Sequence, residues 1–148
     1  MKFLCSQELG RLAKWLRVVG YDAASVTETL GIPQLLALAT VEGRTILTRL
    51  KRLRGHQGTP VVYIASDRLK DQMKEIRQLG IRLSGQKLFT RCIVCNIPVT
   101  PISKEKVRQK VPPYVFETQG GFSRCPSCKR VYWPATHYGR AKHFVGLS

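Results

Sequence analysis

The sequence has few acidic residues and no long hydrophobic run. Nine aspartates and glutamates stand against 25 lysines and arginines among 148 residues, and the net charge is +16. No apolar run approaches the ~18 residues of a membrane-spanning helix, so we expect no membrane segment. The sequence also has no glycine-rich phosphate loop and no serine triad. Phosphate-loop nucleotide binding and serine-hydrolase chemistry therefore have no support in it.

The excess of positive charge indicates a polyanionic partner. An imbalance of this size costs stability through self-repulsion, and binding a polyanion is the usual reason to carry it. Nucleic acid is the first candidate. An anionic membrane surface is the second, although no strongly basic helix with a bulky apolar face stands out. A basic surface that serves only solubility is the third.

Four of the five cysteines form two Cys-x-x-Cys pairs. Cys92 and Cys95 are separated from Cys125 and Cys128 by 29 residues. Two such turns supply the four soft ligands of tetrahedral zinc, so the spacing predicts a structural Zn²⁺ site, with Fe²⁺ open as the metal. Two disulfides or four unrelated buried cysteines are the alternatives. The fifth cysteine, Cys5, is expected in the core.

Short apolar segments alternate with helical patterns through the first 80 residues. The segments typical of strands are 2–5, 23–26, 44–48 and 60–64, and the helical patterns cover 6–20, 33–43 and 69–80. This alternation predicts an α/β fold with a mostly parallel sheet and helices on its faces. Because residues 1–5 fit a strand better than a targeting segment, we expect a cytoplasmic location.

In parallel sheets, functional sites form beyond the carboxyl ends of the strands. Here those ends carry residues 6–8, 48–54 and 66–67, which we expect to converge on one edge. The densest basic patch of the chain lies among them, in Arg49, Lys51, Arg52 and Arg54. The first helix adds Arg11, Lys14 and Arg17 off its apolar face, with Trp15 nearby. This stripe suits a phosphate backbone, or equally a solvated face.

We expect an α/β domain over residues 1–89 and a zinc module over residues 90–148. A short helix is predicted over 103–110, stopped by Pro112 and Pro113, and a strand over 131–133. The basic tail interleaves Arg140 and Lys142 with aromatic residues. This mixture suits RNA contact through phosphates and base stacking, and packing of the rings onto the sheet is the alternative.

Several stretches occur in the order of a known family over nearly the whole chain. They are residues 2–4, 9–17, 20–22, 42–44, 47–49, 91–96, 111–113, 124–126, 131–133 and 136–138. With these stretches the chain resembles the Mut-seven C-terminal RNase domain family. The resemblance implies a PIN-like three-layer α/β/α domain followed by a four-cysteine zinc ribbon. It also implies metal-dependent RNA cleavage and RNA as the substrate class.

The sequence departs from the family pattern where catalytic carboxylates are expected. Ser6 and Leu50 stand where the family has aspartate. Asp22 and Asp67 match acidic family positions. Glu28 is a further candidate for an acidic position, and Glu8 lies two residues from the first lost aspartate. PIN-type cleavage needs a carboxylate cluster to hold Mg²⁺ or Mn²⁺, so losing two ligands weakens the metal site.

These observations favour an RNA-binding protein on a ribonuclease-like scaffold whose catalysis is lost or reduced. Its expected partner is structured RNA or a ribonucleoprotein such as the ribosome. The predicted phosphate contacts are Arg11, Lys14, Arg17, Arg49, Lys51, Arg52, Arg54, Arg140 and Lys142. A working ribonuclease is the second hypothesis, with Mg²⁺ or Mn²⁺ held by Glu8, Asp22, Glu28 and Asp67. A zinc-ribbon protein–protein adaptor is the third.

Overall fold

A four-stranded parallel sheet forms the centre of the N-terminal part. The computed structural model describes residues 1–134 and 136–147, without the side chains of residues 136 and 137. The strands are β1 (Lys2–Cys5), β2 (Asp22–Ser25), β3 (Thr45–Thr48) and β4 (Val61–Tyr63), in the spatial order β2-β1-β3-β4. The connecting helices are α1 (Gly10–Val18), α2 (Ile32–Glu42) and α3 (Leu69–Gln78), and a 3₁₀ turn (Gln7–Leu9) precedes α1.

The sheet is buried on both faces because its strands carry apolar side chains on both. In β1, Phe3 packs into one cluster with residues of α1 and α3, while Leu4 packs into another with residues of α2. Both side chains are almost completely buried. Near-continuous apolar strands of this kind are typical of parallel sheets that helices cover on each side. The predicted three-layer α/β/α architecture is confirmed.

The segment after α3 packs closely against the end of α1. Gly20 has a φ of +89°, and a Cβ there would lie 2.8 Å from the carbonyl oxygen of Lys87. Glycine therefore serves two needs at this position, a left-handed turn and a close backbone approach. The Phe89 N–H donates to the carbonyl oxygen of Val18 and continues this contact.

An antiparallel ribbon follows, with strands β5 (Thr100–Ile102), β6 (Phe122–Arg124) and β7 (Val131–Tyr132) in that spatial order. The long spacer between the cysteine pairs is ordered, but the helix predicted over 103–110 is present only in part. A 3₁₀ turn (Lys104–Val107) stands there, and Pro113 begins helix α4 (Pro113–Thr118). Proline suits the first turn of a helix because the N–H groups of that turn have no acceptor within the helix, so the N–H that proline lacks is not needed there.

The C-terminal segment forms helix α5 (Thr136–Phe144), which returns to the first part of the chain. Ala141 and Val145 are buried in the same cluster as α1 and α3, and the Phe144 ring stacks on Trp15 with 4.2 Å between ring centroids. The rings of this segment were expected on RNA or on the sheet. Phe144 instead packs on a helix. Among the described helices, none combines the length and apolarity that crossing a membrane requires.

Candidate functional site

The four predicted metal ligands meet in one cluster. The Sγ atoms all lie within 4.8 Å of one another in Cys92, Cys95, Cys125 and Cys128. Zinc–sulfur bonds of about 2.3 Å place tetrahedral sulfur ligands about 3.8 Å apart. The Sγ atoms of Cys92 and Cys128 are 3.7 Å apart. The donor set therefore fits a tetrahedral metal ion such as zinc.

The two Cys-x-x-Cys turns have the same local structure. In the first, the Cys95 N–H donates to the Cys92 Sγ over 3.4 Å, and in the second, the Cys128 N–H donates to the Cys125 Sγ over 3.5 Å. The residue after each pair has a positive φ, 59° at Asn96 and 64° at Lys129. Each turn thus aims backbone N–H groups at sulfur, which favours the thiolate that a metal needs.

Tyr132 supports the cluster from β7, and sequence reasoning missed it. Its hydroxyl accepts from the Ile93 N–H and donates to the Cys92 Sγ, both over 3.1 Å. Desolvation acts to raise the pKa of Cys92. The Tyr132 hydroxyl and the N–H groups of Cys95 and Val94 outweigh it and lower this pKa to about 6. The spacing of the cysteines could not predict this partner, because Tyr132 lies 40 residues after Cys92 in the sequence.

The first cysteine turn is attached to the parallel sheet through Asn96. The Asn96 side chain accepts from the Ala23 N–H on edge strand β2 and donates to the Asp22 carboxylate, over 3.0 Å and 2.7 Å. The Asn96 amide therefore contacts both the backbone of the edge strand and the carboxylate of Asp22, the first residue of that strand. Hydrogen bonds therefore join the first cysteine turn directly to the sheet.

Arg17 strengthens the same attachment, and this differs from its predicted role. Its side chain is only 6% exposed. The guanidinium donates to the carbonyl oxygens of Ala23 and Ile93, over 2.8 Å and 2.9 Å. Backbone carbonyl groups occupy these donors and Arg17 itself is buried, so Arg17 is not available for the phosphate contact that its helical position predicted. The helical pattern of the sequence could not predict this contact, because Ile93 lies 76 residues after Arg17.

Asp22 lies at the amino edge of the sheet, where β2 begins. It stands opposite Lys2 in the strand register and forms an ion pair with Arg44 over 2.6 Å. Burial acts to raise the pKa of Asp22, but hydrogen bonds from Arg44 and Asn96 outweigh it and lower this pKa. The structure therefore does not bring Asp22 together with Glu8, which lies past the opposite ends of the strands.

At the carboxyl edge, Glu8 connects the end of β1 to the end of β3. Its Oε1 atom accepts from the Ser6 hydroxyl over 2.5 Å and from the Arg49 N–H over 2.9 Å. Desolvation acts to raise the pKa of Glu8, but these bonds, with one from Thr48, outweigh it and lower the pKa. The carboxylate is thus ionised, and part of its acceptor capacity is already used.

A cavity of about 190 Å³ at this edge gathers Ser6, Glu8, Glu28 and Leu50. The two positions where the resemblance implies aspartate are therefore neighbours, as expected, and two glutamates lie beside them. Asp67 is exposed beyond β4 and is not among the lining residues. Among the side chains that the structure describes, the four cysteines are the only group of three or more potential metal ligands.

Cations follow β3 on the same edge. Lys51 and Arg52 are exposed on a 3₁₀ turn (Lys51–Leu53), which the buried Leu53 anchors. Arg54 is exposed, with its guanidinium 5.5 Å from the centroid of the Tyr63 ring. Arg49 is half-buried and donates to the Ala65 carbonyl oxygen over 3.4 Å. Three of the four predicted cations are thus exposed, and the third of them also contacts a ring.

The remaining predicted phosphate contacts lie on helices. Arg11 and Lys14 are exposed on α1, and Arg140 is exposed on α5. Lys142 is half-buried, with its Nζ atom 6.0 Å from the centroid of the Tyr138 ring. These four side chains are available in part or in full, unlike Arg17.

A family model described as the Mut7-C RNAse domain matches residues 1–145 of the chain. Neither the curated proteins nor the solved structures gave a match to the sequence. The family match supports a ribonuclease-like or RNA-related role. Because it spans the parallel sheet, the cysteine ribbon and helix α5, the chain belongs to the Mut7-C RNAse domain family.

Proposed function

We propose that this protein binds RNA through the carboxyl edge of its parallel sheet and that its nuclease metal site is lost or weakened. The observation that carries the proposal is the composition of that edge. Ser6 and Leu50 line its cavity in place of two expected aspartates, and exposed cations follow on the next turn. An RNase-domain fold makes RNA the natural polyanion.

The balance of charges favours phosphate over a divalent cation at this edge. Mg²⁺ and Mn²⁺ require several hard oxygen ligands, usually carboxylates. Glu8 and Glu28 supply two, and the Ser6 hydroxyl and Arg49 N–H already bind Glu8. The neighbouring cations repel a divalent cation, whereas they attract an RNA backbone. The edge is therefore better suited to hold a nucleic-acid strand than to activate water.

The proposed footprint extends from the carboxyl edge onto the helices. The proposed contacts are Arg11, Lys14, Arg49, Lys51, Arg52, Arg54, Arg140 and Lys142. We propose structured RNA or a ribonucleoprotein such as the ribosome as the partner. Zn²⁺ is the proposed metal of the four-cysteine cluster. The reducing cytoplasm is the proposed location because it preserves free thiols.

The salt dependence of RNA binding tests this proposal. Phosphate contacts release counterions, so each contact contributes roughly 0.7 to 0.9 to the slope of log affinity against log salt concentration. The variant carrying Lys51→Gln, Arg52→Gln and Arg54→Gln should reduce that slope by about 2 to 3. Fluorescence anisotropy with a labelled RNA hairpin, from low to physiological salt, measures it.

A matched control removes the same charge elsewhere. Lys2, Lys106 and Lys110 are exposed, the first at the amino edge and the others in the ribbon insertion. Replacing these three by glutamine should change the slope by less than about 1. If the two triple variants behave alike, the charge acts without a defined site, and the carboxyl edge is not the RNA-binding surface.

A metal-dependent ribonuclease is the second candidate, because Glu8 and Glu28 line one cavity at the edge where the resemblance implies catalysis. Two carboxylates can hold a divalent cation weakly when substrate phosphates complete its coordination. RNA cleavage that requires Mn²⁺ and is abolished by Glu8→Gln would favour this candidate.

A further inference from the structure

A second cavity, of about 340 Å³, lies where the segment after α3, the ribbon and helix α5 meet. Aromatic rings make up half of its lining, from Phe89, Phe122, Tyr132, Trp133 and Tyr138. Phe89 is bonded to Val18 at the C-terminal end of α1, so this cavity is distant from the carboxyl edge, where α1 begins. The cations of the carboxyl edge therefore do not account for it.

The rings form two pairs that come from different elements. Phe89 and Tyr138 have ring centroids 6.3 Å apart, and Phe122 and Trp133 have the same separation. The Tyr138 hydroxyl donates to the Gly85 carbonyl oxygen over 2.6 Å, which fixes that ring. Rings held in place before binding lose little conformational entropy when a flat ligand stacks on them.

Phe89 reaches its position at a conformational cost. Its φ is +57°, in the left-handed region that bulky residues rarely adopt. The bond from its N–H to the Val18 carbonyl oxygen, over 2.8 Å, holds this backbone in place. The fold thus maintains a strained turn at the point where a ring lines the cavity, and such strain commonly marks ligand sites.

The surroundings of the cavity select an anionic ligand with an aromatic part. None of its lining residues is acidic. The Lys142 Nζ atom lies 6.0 Å from the Tyr138 ring centroid, and Lys87 and Arg124 are sequence neighbours of the lining residues Leu88 and Ser123. Cations beside a stacking surface are the combination that binds single-stranded nucleic acid. The volume falls in the range of small-ligand pockets, about 300–1,000 Å³.

We propose that this cavity takes one unstacked base of a single-stranded or looped RNA segment. The base stacks on the rings of Trp133 and of the Phe89–Tyr138 pair, and the neighbouring cations contact the flanking phosphates. The proposal rests on the proposed RNA-binding function and extends it from shape recognition of a backbone to capture of a base. It also assigns the ribbon and α5 a direct part in RNA recognition.

The test uses the fluorescence of Trp133. The chain has two tryptophans, and Trp15 stacks on Phe144 outside the cavity. In a Trp15→Phe background, a single-stranded oligoadenylate should quench Trp133 saturably, whereas a blunt RNA duplex should bind without comparable quenching. In binding measured by anisotropy, Trp133→Leu should weaken oligoadenylate roughly tenfold and the duplex little. Trp133→Phe, which keeps a ring, should weaken it less.

The outcomes separate this proposal from the one on which it rests. Equal quenching by duplex and single strand, or unchanged oligoadenylate affinity in Trp133→Leu, overturns the base site while the carboxyl-edge footprint stands. Failure of the full-length wild-type protein to bind either RNA overturns both proposals. A variant that loses duplex binding as well is misfolded. Tyr138→Leu, compared with Tyr138→Phe, then gives the same test of stacking from another wall of the cavity.

Discussion

The four-cysteine cluster and the carboxyl edge of the sheet both carry residues of metal-binding type, but they differ in completeness. The cluster has four sulfur atoms within 4.8 Å of one another and a supporting hydroxyl from Tyr132. The edge has two glutamates beside Ser6 and Leu50. The number of suitable donor atoms separates them.

The two regions differ in what their ligand-type side chains do. At the carboxyl edge, Glu8 joins the ends of β1 and β3, because it accepts from Ser6 and from the Arg49 N–H across them. A carboxylate that has a structural partner needs no metal to be stable. At the cysteine cluster, four sulfur atoms lie close enough to share one metal ion, and a bound cation would offset the repulsion between their thiolates.

Removing metal from the cysteine cluster should give the largest effect. Structural zinc contributes on the order of 10 kcal/mol of apparent binding free energy to small domains. Cys125→Ser should lose the metal, measured as metal per chain by mass spectrometry, and the ribbon should unfold, measured by circular dichroism. Cys5→Ala is the matched control: Cys5 is buried in the sheet core, and burial raises its pKa to about 12. A metal-free but fully folded Cys125→Ser protein would contradict this account.

Loss of the Asp22 carboxylate should give the next largest effect, because it joins the cysteine turn to the sheet. Asp22→Asn weakens bonds to Arg44 and Asn96, and we expect it to lower the free energy of unfolding by about 2 kcal/mol. Glu105→Gln is the control. It breaks a surface pair with Arg108 whose side chains are 73% and 60% exposed, and it should cost less than about 0.5 kcal/mol.

The pH dependence of the Asp22 effect has a definite sign. Its pKa in the folded state is lowered from 3.8, so the ionised form is the one that the fold stabilises. The contribution of Asp22 is fully present above pH 3.8 and is lost as pH falls through the lower, folded-state pKa. Denaturation by urea should show a constant difference between wild type and Asp22→Asn from pH 7 to pH 5. A difference that grows on acidification would contradict the assignment.

Tyr132→Phe should have a smaller effect, confined to the cysteine cluster. It removes the hydroxyl that donates to the Cys92 Sγ and leaves the ring. Partners of metal ligands typically contribute about tenfold or more to metal affinity. Competition with a chromophoric chelator measures this affinity, and Tyr114→Phe, on an exposed tyrosine, is the control. Equal affinity in the two variants would mean that the Tyr132 hydroxyl does not support the metal.

The structural features that depend on residues close together in the sequence were predicted best. The parallel strands, the helices between them and the four-cysteine cluster follow from local periodicity and spacing, and each is present. Contacts between distant parts of the chain were not predictable in this way. Arg17 has the place of a surface cation in its helix, yet it is buried against Ile93, and Asp22 was grouped with Glu8 although the strand register separates them.

Adding carboxylates to the carboxyl edge should give it a metal-binding capacity that the cysteine cluster already has the donor atoms for. A variant with Ser6→Asp and Leu50→Asp places two hard ligands in the cavity with Glu8 and Glu28. Mn²⁺ at a hundred times its dissociation constant would then add about 2.7 kcal/mol to stability, or several degrees in Tm. Thermal melting with and without Mn²⁺ measures this gain. Ser6→Asn with Leu50→Asn, which adds no charge, should show no gain, and equal gains would contradict the account.

The most direct test of the central claim is the fate of RNA bound to the wild-type protein with and without a divalent cation. A labelled RNA hairpin is incubated with the zinc-loaded protein, either without added Mg²⁺ or Mn²⁺ or in millimolar Mn²⁺, and RNA binding and RNA length are followed by electrophoresis. We predict that the protein binds the RNA without added Mg²⁺ or Mn²⁺ and leaves it intact in Mn²⁺. Cleavage that requires Mn²⁺ and disappears in Glu8→Gln or Asp67→Ala would contradict it and make the carboxyl edge an active site.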